Sequence, residues 1–316
     1  MNRLAAIATL TALMATTATT GVRAETAVSV GISGWTGFAP LTLAKEAGIF
    51  KKNGLDVTIK KVPQASRHLA LASGDIQCAA TTVETWIVWN AAGIATTQIF
   101  QLDVSHGADG IAAKPGIEKV ADLKGKTVAA SAPGTSPYFL LAFILAKNGL
   151  TMKDVKVVNM EPGPAAQALL AGQNDAAVTY EPYLSSVRAE PGKGKIIATT
   201  VDYPAVMDTF GCTNAFLKDN PDTAKALAKS YYDALEMIKA DKAKSFEIMG
   251  KDVKQTGEKF GESAAFLEWQ DKDAALKFFD TTFKTFNAEA ADILLQAGVI
   301  KEKPDLTKLA DPSFIK

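Results

Sequence analysis

The sequence predicts an α/β protein of two lobes, with a chain that passes from one lobe to the other twice. Three observations carry this: strand-like and helix-like segments alternate, one long stretch repeats, and the chain after residue 200 abandons the repeat. Strands alternating with helices specify parallel sheets with helices packed on them.

The repeat is read from paired motifs. Residues 30–39 (VGISGWTGFA) and 128–137 (VAASAPGTSP) stand 98 residues apart, and each joins a short strand to a helix start through a glycine-bearing turn. Pro40 and Pro137 suit a first helical turn, where a missing N–H costs nothing. Both helices end in Asn-Gly-Leu, at 53–55 and 148–150, and the glycine permits the left-handed turn that closes a helix. Asp56-Val57 and Asp154-Val155 open the next strands. Ala70-Leu71-x-x-Gly74 is then matched by Ala168-Leu169-x-x-Gly172, and Ala79-Ala80-Thr81 by Ala177-Val178-Thr179. The offset is 98 throughout except at the Asn-Gly-Leu segments, where it slips to 95.

Two such units enclose a cleft, and ligands of open α/β sheets bind beyond the carboxyl ends of the strands. That places the turns 33–38, 81–84, 131–136 and 179–181 around it. The tail supplies a strand at 209–213 and long amphipathic helices at 221–240 and 273–297, expected to pack on the first lobe. The expected organisation is a leader at 1–24, a first lobe built from 25–108 and 208–316, and a second lobe at 109–207. The crossings fall near 106–109 and 203–208, and a double crossing makes a hinge.

The first residues read as an export signal. Arg3 precedes a short apolar stretch, residues 4–14, and Val22-Arg23-Ala24 offers a small-x-small cleavage pattern, so cleavage after Ala24 is expected. The stretch is too short to span a membrane. No cysteine precedes Cys78, so a lipid anchor is not expected, and the mature chain is assigned to a periplasm as a monomer. It would carry 32 basic and 34 acidic residues, a balance that gives no attraction to nucleic acid or an anionic membrane. Hydrophobic residues at 47% are ample for a core. Cys78 and Cys212 both fall in strand-like segments and read as two buried free thiols, one bridge remaining open to them if the strands are neighbours.

Catalytic and metal signatures are sparse. The chain holds two histidines, His68 and His106, too few for a multi-histidine metal site, and neither His-Glu-x-x-His nor Gly-x-Ser-x-Gly occurs. Lys124-Gly125-Lys126-Thr127 ends like a phosphate loop, but Val120 stands where its first glycine must be. Gly31, Gly34 and Gly37 have the wrong spacing for a dinucleotide fingerprint. No cofactor, no metal and no enzyme activity are expected.

Four runs carry a resemblance: Leu71-Ala-Ser-Gly74-Asp75, Asp122-Leu-Lys-Gly-Lys-Thr-Val128, Pro137-Tyr-Phe-Leu-Leu141 and Tyr180-Glu181-Pro182. With them, residues 28–240 resemble the solute-binding proteins of the nitrate/sulfonate/taurine importer group. The resemblance implies a type II periplasmic-binding (Venus flytrap) fold, and a carrier that hands a small molecule to an ABC permease and, through it, to its ATPase. It also places Asp208 where taurine-binding relatives hold the ligand amine.

The residues themselves suggest how a solute is held. The turn before Pro137 aims backbone N–H groups and the positive end of a helix into the cleft, a seat for a sulfonate or carboxylate, with Thr135 and Ser136 adding hydroxyls. Thr81 and Thr82 offer the same chemistry from the first lobe. Glu84, Glu181 and Asp208 supply acidic groups. Trp35, in a glycine-rich turn beside Thr36, is expected to be exposed and to cover an apolar linker or a cation; Tyr138 and Tyr180 would be cleft walls. Taurine or a related aliphatic sulfonate is the expected solute, with a nitrogen-rich cation or a pyrimidine as alternatives. A pyrimidine-synthase-like enzyme on this fold would require a histidine and lysine in the cleft and a cysteine-rich segment, which the sequence does not supply.

Overall fold

A computed structural model describes residues 25–316; the expected leader and its cleavage site fall outside the described residues. In chain order the strands are β1 (Thr26–Ile32), β2 (Leu55–Lys61), β3 (Cys78–Thr82), β4 (Thr96–Ser105), β5 (Asp109–Ala113), β6 (Thr127–Ala130), β7 (Lys156–Asn159), β8 (Ala176–Tyr180), β9 (Lys195–Thr199), β10 (Met207–Thr213) and β11 (Leu267–Trp269). They form a six-stranded sheet, β11-β4-β10-β3-β1-β2, and a five-stranded sheet, β7-β6-β8-β5-β9. The chain leaves the first sheet after β4, builds the whole of the second from β5 to β9, and returns at β10. These are the two crossings.

The duplication is visible in the pairing registers. In the first sheet Val30 stands opposite Ile59 of β2 and Cys78 of β3, both parallel. In the second, Val128 stands opposite Val157 of β7 and Ala176 of β8, also parallel. Each of these residues is 98 positions beyond its counterpart, so the sequence offset is a structural equivalence. β3 and β5 are buried at every residue, as strands covered by helices on both faces must be. Gly54 and Gly149 take φ of 78° and 71° after the helices of the two repeats, a conformation that the Cβ of another residue would strain.

The tail differs from expectation in two ways. The segment 273–297 is two helices, Lys272–Asp280 and Thr282–Gln296, separated at Thr281 with φ −115° and ψ −79°. The first is capped by the Asp271 carboxylate, which accepts from the Ala274 N–H at 3.0 Å. Helix Pro221–Ala240 does pack on the first lobe, where Tyr231 is buried against Phe100 at 5.3 Å between ring centroids. Helix Thr282–Gln296 does not keep to that lobe. Its Phe286 meets Phe139 of the second-lobe helix Ser136–Lys147 edge to face at 6.2 Å, and it shares a core with Val83 and Ile87 of the first-lobe helix Val83–Ala91. A run of Phe279, Phe283, Phe286 and Leu294 presents more apolar surface than one lobe covers, and two lobes bury it.

The cysteines are also corrected. Cys78 and Cys212 sit directly opposite in the antiparallel β3–β10 pair and are joined as a disulfide across 134 residues of sequence. Strand propensity placed each in a strand, but only the tertiary pairing of the returning strand makes them neighbours.

Candidate ligand-binding cleft

The carboxyl ends of β1, β3, β6 and β8 meet where the lobes face each other, and the turns after them close over a small void of about 20 Å³. Trp35, Thr81, Thr82, Ser136, Tyr180 and Asp208, all expected at the site, border it. So do Ser33, Phe38, Gln64, Arg67, Asp109 and Val206, which the sequence reading did not single out. A void of that size holds about one water-sized group, so an organic solute enters only when the lobes part.

Trp35 is 4% exposed rather than open to solvent. Its ring packs edge-on against Tyr180 of the other lobe at 5.4 Å, and its indole Nε1–H donates to Asp103 Oδ1 at 3.2 Å. Gly37 makes this possible: a Cβ there would come within 2.3 Å of both the Trp35 nitrogen and an Asp103 oxygen. Trp86 and Trp89 are core residues, as expected of a helical run.

Two further contacts join the lobes. The Thr36 hydroxyl donates to the Glu181 carbonyl oxygen at 3.4 Å. The Gln64 side chain is a fuller bridge. Its NH₂ donates to the Thr81 and Thr85 hydroxyls at 2.8 and 2.9 Å on the first lobe, and its carbonyl oxygen accepts from the Ser136 N–H at 3.2 Å on the second. An amide oxygen thus occupies the positive end of helix Ser136–Lys147, the seat expected for an anion. Removing it costs the closed form one neutral hydrogen bond, about 1 kcal/mol. Gln64→Ala should therefore move the empty protein toward the open form about fivefold, and small-angle scattering should read a larger radius of gyration. An unchanged radius would mean that Gln64 is not a closing contact.

Five expected residues do not border the void. The Thr135 hydroxyl donates back to the Ala132 carbonyl at 2.7 Å, an ordinary turn contact. Tyr138 is half-buried on the same helix. Thr36 is spent on the interlobe bond just described. The Glu181 side chain, fully buried, pairs with Arg188 and accepts from the Ser185 N–H at 3.1 Å, within the second lobe. The Arg188 guanidinium also covers the Phe266 ring at 4.0 Å and donates to the Gly107 carbonyl at 3.2 Å, beside the first crossing. Glu84, 1% exposed, accepts from the Thr82 hydroxyl.

The electrostatics of the cleft are acidic. Burial pushes the carboxyl of Glu84 up to about 8, opposed by its Thr82 hydrogen bond. Asp103 also rises to about 8 through burial, despite the Trp35 bond. Asp109 rises to about 7, again through burial, partly offset by Ser105. Asp208 is pushed well up by burial and then by Asp103, its cross-strand neighbour. Arg67 is the cation bordering the void, and burial lowers it to about 10. Its guanidinium is engaged by the carbonyls of Val62 and Ala80, at 2.9 and 2.5 Å, so it anchors the helix Gln64–Ser73 to β3 and leaves the aspartates unpaired. Among the described residues no cluster of His, Cys, Asp or Glu is arranged to hold a metal ion.

Two sheets, two crossings and an interlobe cleft define a two-lobed periplasmic-binding-protein fold. The structure superimposes with a TM-score of 0.77 on the alkanesulfonate-binding protein SsuA from Xanthomonas axonopodis pv. citri bound to MOPS, at 19% identity over 91% of this chain and 99% of that one. With the periplasmic nitrate-binding protein NrtA from Synechocystis PCC 6803 the TM-score is 0.71, at 20% identity over 92% and 87%. The chain belongs to the NMT1/THI5-like family, which it matches over residues 35–244. Within curated relatives, the taurine-binding periplasmic protein of Escherichia coli (strain K12) is 28% identical over 236 residues, 72% of each chain.

Proposed function

We propose that this chain is the solute-binding component of an ABC importer, exported to the periplasm, and that it delivers a small amine-bearing solute to a permease driven by an ATPase. The observation that carries this reading is the cleft itself. It is a closed space between two hinged lobes, lined by hydrogen-bonding groups, with aspartates on one side and a helix N-terminus on the other. Such a pair of poles suits a zwitterion, and taurine or a related aliphatic sulfonate is the member we favour. The ammonium would meet Asp208, and the sulfonate would displace the Gln64 oxygen from the Ser136 N–H while Thr81 and Thr82 add donors. The lobes would hinge at residues 108–109 and 207–208. The relatives named as binding proteins support a carrier, whereas fold alone would not, since one fold hosts many functions.

A second reading, a nitrogen-rich cation without an anionic end, is favoured by one observation: two buried aspartates border the void beside a single arginine whose guanidinium is hydrogen-bonded to backbone carbonyls. A thermal-shift series on the mature chain with taurine, alkylsulfonates, nitrate, amines and pyrimidines separates the two, because ligand binding raises the melting temperature. Nitrate alone raising it would sink both. Asp208→Asn should weaken an amine ligand by about tenfold or more, read by calorimetry; unchanged affinity would remove Asp208 from the site.

A further inference from the structure

The duplication puts a carboxylate at the same place in both lobes. Asp208 of β10 stands opposite Thr82, the last residue of β3. Asp109 of β5 stands opposite Tyr180, the last residue of β8, and Tyr180 is 98 positions beyond Thr82. β5 and β10 are the strands by which the chain enters each sheet from the hinge. An aspartate at the cleft end of each faces the one void, and Asp103 joins Asp208 in the adjacent register.

Among the described residues these groups have no countercharge. Asp109 is 4% exposed, Asp208 2% and Asp103 fully buried. One carboxylate oxygen of Asp109 and one of Asp103 is buried with no hydrogen-bond partner. Of the other charged groups nearby, Glu181 is held by Arg188 and Arg67 by backbone carbonyls, while Glu84 accepts from Thr82 with one oxygen and has its other buried without a partner. Leaving buried acceptors unmade is costly. The space that Asp109 and Asp208 border, about 20 Å³, has the size of one water or one ammonium, and Trp35, Phe38 and Tyr180 wall it with aromatic rings that favour a cation.

We propose that Asp109 and Asp208 form an interlobe clamp for one ammonium or guanidinium headgroup, and that this cation draws the lobes shut. The clamp rests on the carrier reading above and adds what closes the cleft. Carboxyls carried by opposite lobes repel once they ionise in the empty site, and a cation between them turns the repulsion into attraction. An ammonium has three donors and no acceptor, and the two aspartates that border the void offer it acceptors from opposite lobes. The second-lobe aspartate is essential to this mechanism, because a site confined to Asp208 and Asp103 would bind a cation without pulling on the other lobe.

The test uses the mature chain and four probes: taurine, ethanesulfonate, ethanolamine and methylguanidine. At least one of the three nitrogen-bearing probes should raise the melting temperature, and ethanesulfonate, which lacks the amine, should not. Asp109→Asn should weaken the effective probe by about 30-fold in calorimetry, while its ligand-free melting temperature equals or exceeds that of the natural protein. Full affinity in Asp109→Asn overturns the clamp and leaves the carrier reading intact. Taurine failing while ethanolamine or methylguanidine binds and depends on Asp109 removes the sulfonate and leaves the clamp. Ethanesulfonate stabilising as well as taurine, or no nitrogen-bearing probe stabilising at all, overturns the clamp on the natural protein alone, even should the variant fail to fold.

Discussion

Replacing both Cys78 and Cys212 by alanine is expected to lower the unfolding free energy by about 5 kcal/mol, an upper figure from loop closure in the unfolded chain. The bridge spans 134 residues, and that loop contains both crossings and every strand of the second sheet, β5 to β9. In the unfolded chain it therefore ties the two first-lobe strands β3 and β10 together across the whole second lobe. In the folded chain those strands are already paired, from Asp208–Thr82 to Cys212–Cys78, so the cross-link restricts chiefly the unfolded state. For a chain of this size the melting temperature should fall by about 10 °C. Calorimetric scans of the double variant, and of the natural protein with dithiothreitol, should agree with each other. Equal melting temperatures with and without the bridge would show that it adds nothing to stability.

The duplication was legible because it is written in backbone requirements. Helix-starting prolines, helix-closing glycines and short strands recur at one spacing, and the sheet registers reproduce that spacing residue for residue. Residues on the repeated turns were accordingly placed near the cleft, and Trp35, Thr81, Thr82, Ser136 and Tyr180 do border the void, as does Asp208, which the family resemblance placed there. What escaped depends on contacts between distant segments. Asp109 looked like a crossing residue; only the antiparallel β5–β8 register reveals it as the counterpart of Asp208, a signal available once the offset of 98 is applied to the partner of each strand. Gln64 and Arg67 sit on a helix with polar neighbours, and nothing local shows that this face turns to the cleft. Glu181 was drawn off by Arg188, seven residues on, which brings a buried countercharge that no turn motif announces. The burial of Trp35 likewise depends on distant partners, Asp103 and the Tyr180 ring of the opposite lobe, not on local periodicity.

Raising the pH from 5.5 to 8.5 should destabilise the empty protein, the reverse of the usual behaviour of carboxylates held by salt bridges. Burial lifts the carboxyls of Glu84 and Asp103 to about 8 and that of Asp109 to about 7, and Asp208 moves in the same direction. In the unfolded chain such groups titrate near 4. Between those limits the folded protein holds protons that the unfolded chain has released, so stability is fully present below about pH 4, falls as pH rises, and levels off above the folded values. Each retained proton contributes a slope of about 1.4 kcal/mol per pH unit, so two of them should cost several kcal/mol across the window, enough to lower the melting temperature by about 10 °C. Parting the lobes hydrates the same carboxylates without unfolding, so part of the response should appear as an increased radius of gyration. Asp103→Asn and Asp109→Asn, which stay neutral at every pH, should each flatten the profile and melt above the natural protein at pH 8.5. A profile flat in both melting temperature and radius would show that the aspartates are ionised and solvated in the empty cleft. An amine ligand should act in the opposite sense, because an ammonium replaces the protons that the carboxyls must otherwise keep. Its affinity should rise as pH climbs through 7 to 8, and its binding should release protons, measurable as a dependence of the calorimetric heat on the ionisation enthalpy of the buffer.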